Sequence, residues 1–323
     1  MSELKKVIVT EKLHPDGMAL LDCRNDIDVH YLEGDGVLLT TAIEDAHAVL
    51  VRTMSLPESM LNRAQNLEVV SRHGVGCDNI DLGYLSAQNI PVAIAVDSNT
   101  TSVIEHVLMM MLVLNKRAME YNQLTRDGGF SQRGSLPTSE LAGKHVLIVG
   151  FGRIGKRVAG LCKAFDMRVT VADIMLDFKA ASRLGVETVT DFHAELAGAD
   201  YLTVHVPLDN STRGMISHAE LAELPGHSIV INCARGGVID EKAIAQAVRN
   251  GGIAGFGSDV FTTEPPDADN PLLNLPNTIL TPHNAAGTAE GMRRMAMYSA
   301  QNILDHIDGK LTGERIINSD DLR

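Results

Sequence analysis

The sequence has few cysteines, no apolar run long enough for a membrane, and no excess of basic residues. Its cysteines are far apart and form no C-x-x-C pair; they are Cys23, Cys77, Cys162 and Cys233. This pattern argues against a disulfide framework or a cysteine zinc site and is typical of reduced thiols in a cytoplasmic protein. The apolar stretch Val107–Leu114 is far shorter than the roughly 20 residues of a membrane span. A formal net charge of −13 disfavours a broad basic surface for nucleic acid or anionic lipid.

The length of the chain and its first residues indicate a two-domain protein without a signal peptide. A chain of 323 residues is long for one core, since domains usually contain about 100–200 residues. The opening MSELKKVIVT predicts a first strand and not a signal peptide. Its apolar run is too short for the core of a signal peptide, and no small-residue cleavage site follows. We therefore expect a cytoplasmic protein.

Two series of short β-branched runs alternate with helical patterns along the chain. The first series predicts strands at Lys6–Thr10, Ala48–Arg52, Leu67–Arg72 and Pro91–Ala95. The second predicts six strands, at His145–Val149, Arg168–Ala172, Tyr201–Val204, Ser228–Asn232, Gly255–Ser258 and Thr278–Leu280. Such alternation predicts a mainly parallel α/β sheet in the first series and a doubly wound sheet in the second. Ser102–Arg126 is expected to form one long helix, since it contains neither proline nor glycine. Its Met109–Met110–Met111 run is apolar on more than one face, so the helix should be well buried.

A dinucleotide-binding fingerprint lies at the start of the second series. The apolar strand His145–Val149 runs into Gly150, Gly152 and Gly155, spaced as G-x-G-x-x-G, and a helical pattern follows. The three glycines alone would also fit an ordinary glycine-rich turn. Asp173 ends the next strand, where a carboxylate can accept hydrogen bonds from the ribose of NAD and would repel the 2′-phosphate of NADP. The combination predicts an NAD site.

Three residues that follow successive strands of this sheet are candidates for acid–base chemistry. They are Arg235, Glu264 and His283. Each alone would fit a solvated loop residue or a packed histidine. Together they would meet at the carboxyl edge of the sheet, where a guanidinium can hold a carboxylate and an imidazole can exchange a proton near neutral pH. A metal site is not expected, because His205 and His283 lack ligand spacing and no H-E-x-x-H occurs.

These residues lie in stretches that together resemble the D-isomer-specific 2-hydroxyacid dehydrogenases over nearly the whole chain. The matching stretches are SRHGVGCDNID, SNTTSVIEHVLMMML, LAGKHVLIVGFGRIGK, LTVHVPLDNSTRGMI, INCARGGVIDE, GSDVFTTEPP and NPLLNLPNTILTPHNAAGT. The resemblance implies that His283 is the proton donor and acceptor, that Glu264 holds it, and that Arg235 binds the substrate carboxylate. It implies two Rossmann-like domains with the active site in the cleft between them. Residues 1–98 and 287–323 would bind substrate, and residues 99–286 would bind NAD.

The resemblance also implies further binding residues and a homodimer. The substrate carboxylate would meet Arg52 and the backbone of Val75 and Gly76. The cofactor would contact, besides the glycines and Asp173, a set comprising Arg153, Ile154, His205, Val206, Pro207, Thr212, Cys233 and Asp259. The expected activity is like that of phosphoglycerate dehydrogenase or of hydroxypyruvate and glyoxylate reductases.

Alternatives remain open at this stage. A formate or phosphite dehydrogenase and an NADH-sensing corepressor share the fold, although formate enzymes carry glutamine where Glu264 stands. The chain ends about forty residues after His283, so we expect no serine-binding regulatory domain. His73 lies inside the expected substrate loop, where it would either contact a second anionic group or face solvent.

Overall fold

The computed structural model describes residues 4–322 and divides the chain into two compact units. The first unit contains the residues up to Thr101 together with those from Gly287 onward, and the second unit spans Ser102–Ala286. Each unit is an α/β structure with its own sheet and its own core.

Twelve β-strands are present in the described chain, and they fall into two sheets. They are β1 Lys5–Val9, β2 Ile27–Tyr31, β3 Ala48–Val51, β4 Val69–Arg72, β5 Val92–Ile94, β6 His145–Val149, β7 Arg168–Ala172, β8 Glu187–Val189, β9 Tyr201–Val204, β10 Ile229–Asn232, β11 Gly255–Ser258 and β12 Thr278–Leu280.

Twelve α-helices accompany these strands within residues 4–322. They are α1 Pro15–Asp22, α2 Gly36–Ala42, α3 Glu58–Leu61, α4 Leu82–Ala87, α5 Thr100–Asn115, α6 Ala118–Arg126, α7 Arg153–Ala164, α8 Phe178–Leu184, α9 His193–Leu196, α10 His218–Glu223, α11 Glu241–Arg249 and α12 Ala289–Ile307.

The sheet of the first unit contains five parallel strands in the order β2-β1-β3-β4-β5. Its central strands carry buried apolar segments, Val7–Val9, Ala48–Val51 and Val69–Val70, as in other parallel sheets with both faces covered. β2 was not predicted from the sequence. It is an edge strand whose exposed residues include Asp28, so its sequence has no continuous apolar run. The long helix α12 packs against α1, where Gly17 lets the two backbones meet at Ala296.

The sheet of the second unit contains seven parallel strands in the order β12-β11-β10-β9-β6-β7-β8. The chain enters at β6 and winds first to one side and then to the other, which is the doubly wound dinucleotide-binding order. Six strands were predicted here, and β8 is the additional one. It is a three-residue edge strand with no fully buried position, which explains why no strand pattern marks it. The predicted fold class, two Rossmann-like parallel α/β domains, is confirmed.

The segment predicted as one helix over Ser102–Arg126 forms two helices, and that prediction was wrong. The break lies at Arg117, which has a left-handed backbone with φ of 51°. The preceding side chains of Asn115 and Lys116 both donate to the carbonyl of Ser139, at 2.9 and 2.7 Å. These tertiary contacts are consistent with the bend, and sequence separation hides them. Within α5, Met110 and Met111 are fully buried, as the apolar run predicted.

Polar residues at the helix starts explain where several helices begin. The carboxylate of Asp240 accepts from the amides of Lys242 and Ala243 at the start of α11, at 2.9 Å each. Thr288 does the same for Gly291 at the start of α12. Such caps satisfy the unpaired N–H groups of the first turn. Within residues 4–322, no helix combines the length and apolar content needed to cross a bilayer.

Candidate active site

The glycine-rich turn between β6 and α7 has the geometry that the dinucleotide fingerprint predicted. Gly150 has φ of +101°, and a Cβ there would lie 2.6 Å from the carbonyl oxygen of His205. A Cβ on Gly155 would lie 2.0 Å from the carbonyl oxygen of Gly150, so only glycine lets α7 approach the turn. A Cβ on Gly152 would meet no described atom within 4 Å. That open space, at a helix start without a side-chain cap, fits a pyrophosphate group.

Asp173 lies directly after β7, and its carboxylate is fixed by the backbone. One oxygen accepts from the amide of Phe151 at 2.6 Å, and the other accepts from the amide of Met175 at 2.8 Å. The first contact ties the acid to the glycine-rich turn. Each carboxylate oxygen retains a second acceptor position, as binding to ribose hydroxyls requires. Ile174 and Met175 beside it are 95% and 83% exposed, so an apolar surface adjoins the acid.

The segment after β9 contains the residues expected near the adenosine. Nε2 of His205 forms a hydrogen bond with the hydroxyl of Thr203 at 3.0 Å. The other ring nitrogen, Nδ1, is shielded from solvent and has no partner among the described residues. Burial lowers the pKa of His205 to about 4, so the ring is neutral. Thr212 donates to the carbonyl of Pro207 at 2.6 Å and thereby closes the loop. Val206 lies within this loop and is half-buried.

His283 and Glu264 form a hydrogen-bonded pair at the carboxyl edge of the second sheet. Nδ1 of His283 lies 2.7 Å from Oε2 of Glu264, and the other carboxylate oxygen accepts from the amide of Phe261 at 3.0 Å. Because an ionised carboxylate can only accept, Nδ1 carries a proton and Nε2 is left for other partners. The hydrogen bond that His283 donates to Glu264 raises the pKa of His283 against the opposing effect of burial, and the charge of Asp259 raises it further. Burial would raise the pKa of Glu264, but bonds from His283 and Phe261 lower it overall.

Arg235 lies beside this pair, on the loop after β10. Its positive charge lowers the pKa of Glu264 and opposes the rise in the pKa of His283, so the three groups interact electrostatically. Sequence reasoning missed two residues that hold the arginine loop. Asn232 bridges it by donating to the carbonyl of Arg235 at 2.9 Å and accepting from Ala234 at 3.0 Å. Gly236 lies against Phe261, where a Cβ would be 1.8 Å from the carbonyl oxygen.

Asp259 is the residue that holds the His283 loop in place. Its main-chain oxygen accepts from the amide of His283 at 2.8 Å. Its carboxylate accepts from the hydroxyl of Thr281 at 2.5 Å and from the amides of Asn284 and Ala285 at 2.9 and 2.8 Å. Asp259 is only 1% exposed. These contacts make Asp259 a cap at the end of β11.

His283 has a left-handed backbone, with φ of 49°, which is costly for a residue with a side chain. The contacts to Asp259 constrain this conformation.

Cys233, the other residue expected near the nicotinamide, is 8% exposed, and its thiol lies 3.8 Å from the sulfur of Met110. Burial raises the pKa of the Cys233 thiol, so it stays protonated.

A cavity of about 410 Å³ opens beside the His283–Glu264 pair. Its walls are mainly apolar and include Phe261, Pro265 and Leu280. An apolar wall beside an acid–base pair limits solvation of the reacting groups.

In the first unit, the loop after β4 contains two backbone amides that have no acceptor among the described residues. The side chain of Arg72 turns back onto this loop, donating to the carbonyl of Gly76 at 2.7 Å and to that of His73. The amides of Val75 and Gly76 donate to no acceptor within residues 4–322. Sequence reasoning missed this organising role of Arg72. The available signal was an arginine at the end of a strand, two residues before the first glycine of the loop.

Arg52 follows β3, at the same carboxyl edge of the first sheet. Its guanidinium makes no hydrogen bond or ion pair with another described residue. The backbone around it is held by Glu11, whose carboxylate accepts from the amides of Arg52, Thr53 and Met54 at 3.0, 2.5 and 3.0 Å. An anchored backbone with an uncommitted guanidinium suits the binding of an anion.

His73 neither faces solvent nor presents its ring at the surface. It is 3% exposed, and its Nε2 is shielded without a partner among the described residues. Burial, reinforced by the charges of Arg52 and Arg72, lowers the pKa of His73 to about 4. Of the two alternatives for His73, the solvent-facing ring was therefore wrong, because the loop folds the side chain inward. Within residues 4–322, no group of three or more His, Cys, Asp or Glu side chains is arranged to hold a metal ion.

Comparison with known proteins assigns the chain to a family. The model of the "D-isomer specific 2-hydroxyacid dehydrogenase, NAD binding domain" matches residues 108–285. The chain belongs to the D-isomer specific 2-hydroxyacid dehydrogenase family. The predicted family is thus confirmed, and so is the predicted cofactor, NAD.

Individual relatives cover almost the whole chain. A D-3-phosphoglycerate dehydrogenase of Methanocaldococcus jannaschii is 34% identical over 97% of the chain, and one of Bacillus subtilis is 35% identical over 94%. The chain spans 59% and 57% of the lengths of these two relatives. The D-lactate dehydrogenase of Aquifex aeolicus, solved with NAD and lactic acid, has a TM-score of 0.87 and 25% identity, covering 97% of this chain and 99% of that one.

Proposed function

We propose that this protein is an NAD-dependent oxidoreductase that interconverts a small D-2-hydroxy acid and its 2-keto acid. The observation that carries the proposal is the 2.7 Å bond between His283 and Glu264, with the charge of Arg235 beside it, at the carboxyl edge of an NAD-binding sheet. Ligands of doubly wound sheets bind at this edge.

His283 is the proposed acid and base of the reaction. In reduction its Nε2 donates a proton to the carbonyl oxygen, and in oxidation it takes a proton from the hydroxyl. Glu264 fixes the ring by holding Nδ1 and favours the protonated form, since it raises the pKa of His283. The bound nicotinamide supplies the hydride to the keto acid, or accepts it from the hydroxy acid.

Arg235 is proposed to hold the substrate carboxylate. A guanidinium can form two parallel bonds with a carboxylate and keeps its charge at any working pH. We propose that the first unit also contacts the substrate, through Arg52 and the amides of Val75 and Gly76. Their uncommitted donors support this role.

The cofactor contacts are proposed from the residues of the second unit. The amides at Gly152, Arg153 and Ile154 would hold the pyrophosphate, and Asp173 would hold the ribose. The loop with His205, Val206, Pro207 and Thr212 would lie near the adenosine half. Cys233 and Asp259 remain the candidates for the nicotinamide end, although both are buried against described neighbours.

The substrate is proposed to carry a second anionic group, as 3-phosphoglycerate does. The D-3-phosphoglycerate dehydrogenases among the relatives support this choice. The uncommitted guanidinium of Arg52 supports it as well, because one 2-keto acid carboxylate needs only part of the donors described. Hydroxypyruvate and glyoxylate are the next candidates. A homodimer and a cytoplasmic location are further proposals that come from the family resemblance.

A panel of 2-keto acids tests the proposal by the oxidation of NADH. We expect turnover with 3-phosphohydroxypyruvate, weaker turnover with hydroxypyruvate and glyoxylate, and none from formate with NAD⁺. Arg52→Gln should reduce kcat/KM for the phosphorylated substrate more than for glyoxylate, while Arg63→Gln, at an exposed arginine of the same unit, should change neither. NADH binding without turnover on any member of the panel would reject the dehydrogenase and favour a nucleotide-sensing role. Equal losses on both substrates in Arg52→Gln would reject the second anionic group.

A further inference from the structure

Another histidine of the NAD-binding unit, besides His283, is connected to the Asp259 carboxylate by two hydrogen bonds in series. His106 is on α5, and its side chain is 15% exposed. Its Nε2 lies 2.9 Å from the hydroxyl oxygen of Thr281. That hydroxyl in turn lies 2.5 Å from Oδ1 of Asp259, while His106 Nε2 itself is 3.7 Å from the same oxygen. The proposed reaction gives no role to His106.

The chemistry of the three groups fixes the direction of the two bonds. An ionised carboxylate accepts only, so the hydroxyl of Thr281 must donate its single proton to Asp259. The same hydroxyl oxygen is then an acceptor toward the ring. Nε2 of His106 therefore carries a proton and donates to Thr281. The donors therefore run in one direction, from His106 through Thr281 to Asp259.

This series of hydrogen bonds ends at the loop that carries His283. The carboxylate of Asp259 accepts from the amides of Asn284 and Ala285, and its main chain accepts from that of His283. These contacts oppose the tendency of His283 to leave its left-handed conformation, with φ of 49°. Loss of the Thr281 hydroxyl bond would leave Oδ1 of a buried carboxylate with one donor fewer.

We propose that His106 is a positioning residue for the reaction: by donating to Thr281 it orients the Asp259 carboxylate, which holds the His283 loop in the geometry needed for proton transfer. The effect is expected in kcat, because the relay reaches neither the glycine-rich turn nor Arg235, and it meets the proposed cofactor contacts only at Asp259, at the reacting nicotinamide end. This inference rests on the proposed function, in that its kinetic readout needs a keto acid that the enzyme reduces.

Two variants at position 106 distinguish the role of the hydrogen-bond donor from that of the volume of the ring. His106→Leu fills the space but removes the donor, and we expect kcat to fall about tenfold to hundredfold, as small displacements of a reacting group do. The KM for the keto acid and the Kd for NADH should change less than twofold. His106→Gln, whose amide can donate at a similar reach, should recover most of kcat. A loss of kcat that is equal in both variants would overturn the proposal.

A double-mutant cycle tests whether His106 acts through Thr281. Thr281→Val removes the hydroxyl at nearly constant volume, and it should lower kcat as His106→Leu does. The double variant should be no slower than the slower single variant, because both changes break one chain. Multiplied losses in the double variant would contradict the relay. Thermal unfolding of each variant identifies any that fails to fold, and His106→Gln then serves as the deciding variant.

A measurement without substrate keeps this inference separate from the proposed function. The ¹⁵N chemical shifts of the wild-type protein report which ring nitrogen of His106 is protonated, and a one-bond coupling should place a proton on Nε2. A bare Nε2 would reject the relay whatever the enzyme reduces. The expected tautomer in a protein that turns over no keto acid would instead reject the proposed function.

Discussion

Gly236→Ala is expected to displace two loops of the proposed site at once, the loop with Arg235 and the loop with Glu264. Gly236 directly follows Arg235, and its missing side chain lets the arginine loop lie against Phe261, three residues before Glu264. A Cβ at position 236 would lie 1.8 Å from the carbonyl oxygen of Phe261 and 2.6 Å from the amide of Thr262. Backbone atoms on both sides of the contact leave no flexible side chain to move away.

The size of the effect follows from that overlap. A tolerated contact needs about 3 Å, so one of the two loops must retreat by more than 1 Å. A displacement of about 1 Å in a positioned group can cost about a hundredfold in rate. Overpacking of this kind costs about 1–3 kcal/mol of stability. We therefore expect kcat/KM for the preferred keto acid to fall about a hundredfold, with a moderately lower midpoint of thermal unfolding.

Steady-state NADH oxidation measures the loss, and Gly160→Ala is the matched control. Gly160 lies in α7, where a Cβ would meet only Leu184 Cδ2 at 3.4 Å. Alanine there should keep full activity and stabilise the helix by up to about 1 kcal/mol. A Gly236→Ala enzyme that retains activity within twofold of wild type would show that the two loops are not held together by this contact.

Three further substitutions probe the cofactor site and the acid–base pair. Asp173→Ala should raise kcat/KM for NADPH relative to NADH, because the carboxylate that would repel the 2′-phosphate is gone; an unchanged preference would exclude Asp173 as the selector. Gly152→Ala should unfold at the wild-type temperature, since its Cβ meets only open space in the protein. It should raise the Kd for NADH about tenfold, because the proposed pyrophosphate would occupy that space; unchanged affinity would place the pyrophosphate elsewhere. Glu264→Gln should shift the pH profile of keto-acid reduction. Because Glu264 raises the pKa of His283, its neutral replacement lowers that pKa, and the loss of rate with rising pH should begin at lower pH; an unmoved profile would contradict the pairing.

Much of the fold could be predicted because its signals are local. Buried parallel strands such as β6 and β9 consist mostly of apolar residues, and the glycine-rich turn requires glycines at fixed positions. The two edge strands β2 and β8 were missed because exposure on one side removes the apolar pattern. The break at Arg117 was missed because it accompanies contacts with Ser139, which lies far away in sequence.

The candidate site shows the same division between local and tertiary signals. Position after successive strands was enough to bring Arg235, Glu264 and His283 into one hypothesis. The residues that support them were not predicted, because nothing in the sequence shows that Asn232 bridges a loop or that Asp259 binds the amides after His283. The burial of His73 was missed for a similar reason, since a loop histidine is exposed in most settings and only the fold turns this one inward.

The most direct test of the central claim is the rate of keto-acid reduction in His283→Asn. Asparagine tolerates the left-handed backbone at this position, so the loop should keep its shape, but it cannot deliver a proton near neutral pH. We predict that the variant binds NADH with wild-type affinity and loses reduction by at least about a hundredfold, the range attributed to general acid catalysis, while His218→Ala, at an exposed histidine of the same unit, remains fully active. Reduction at the wild-type rate in His283→Asn would contradict the claim that His283 supplies the proton.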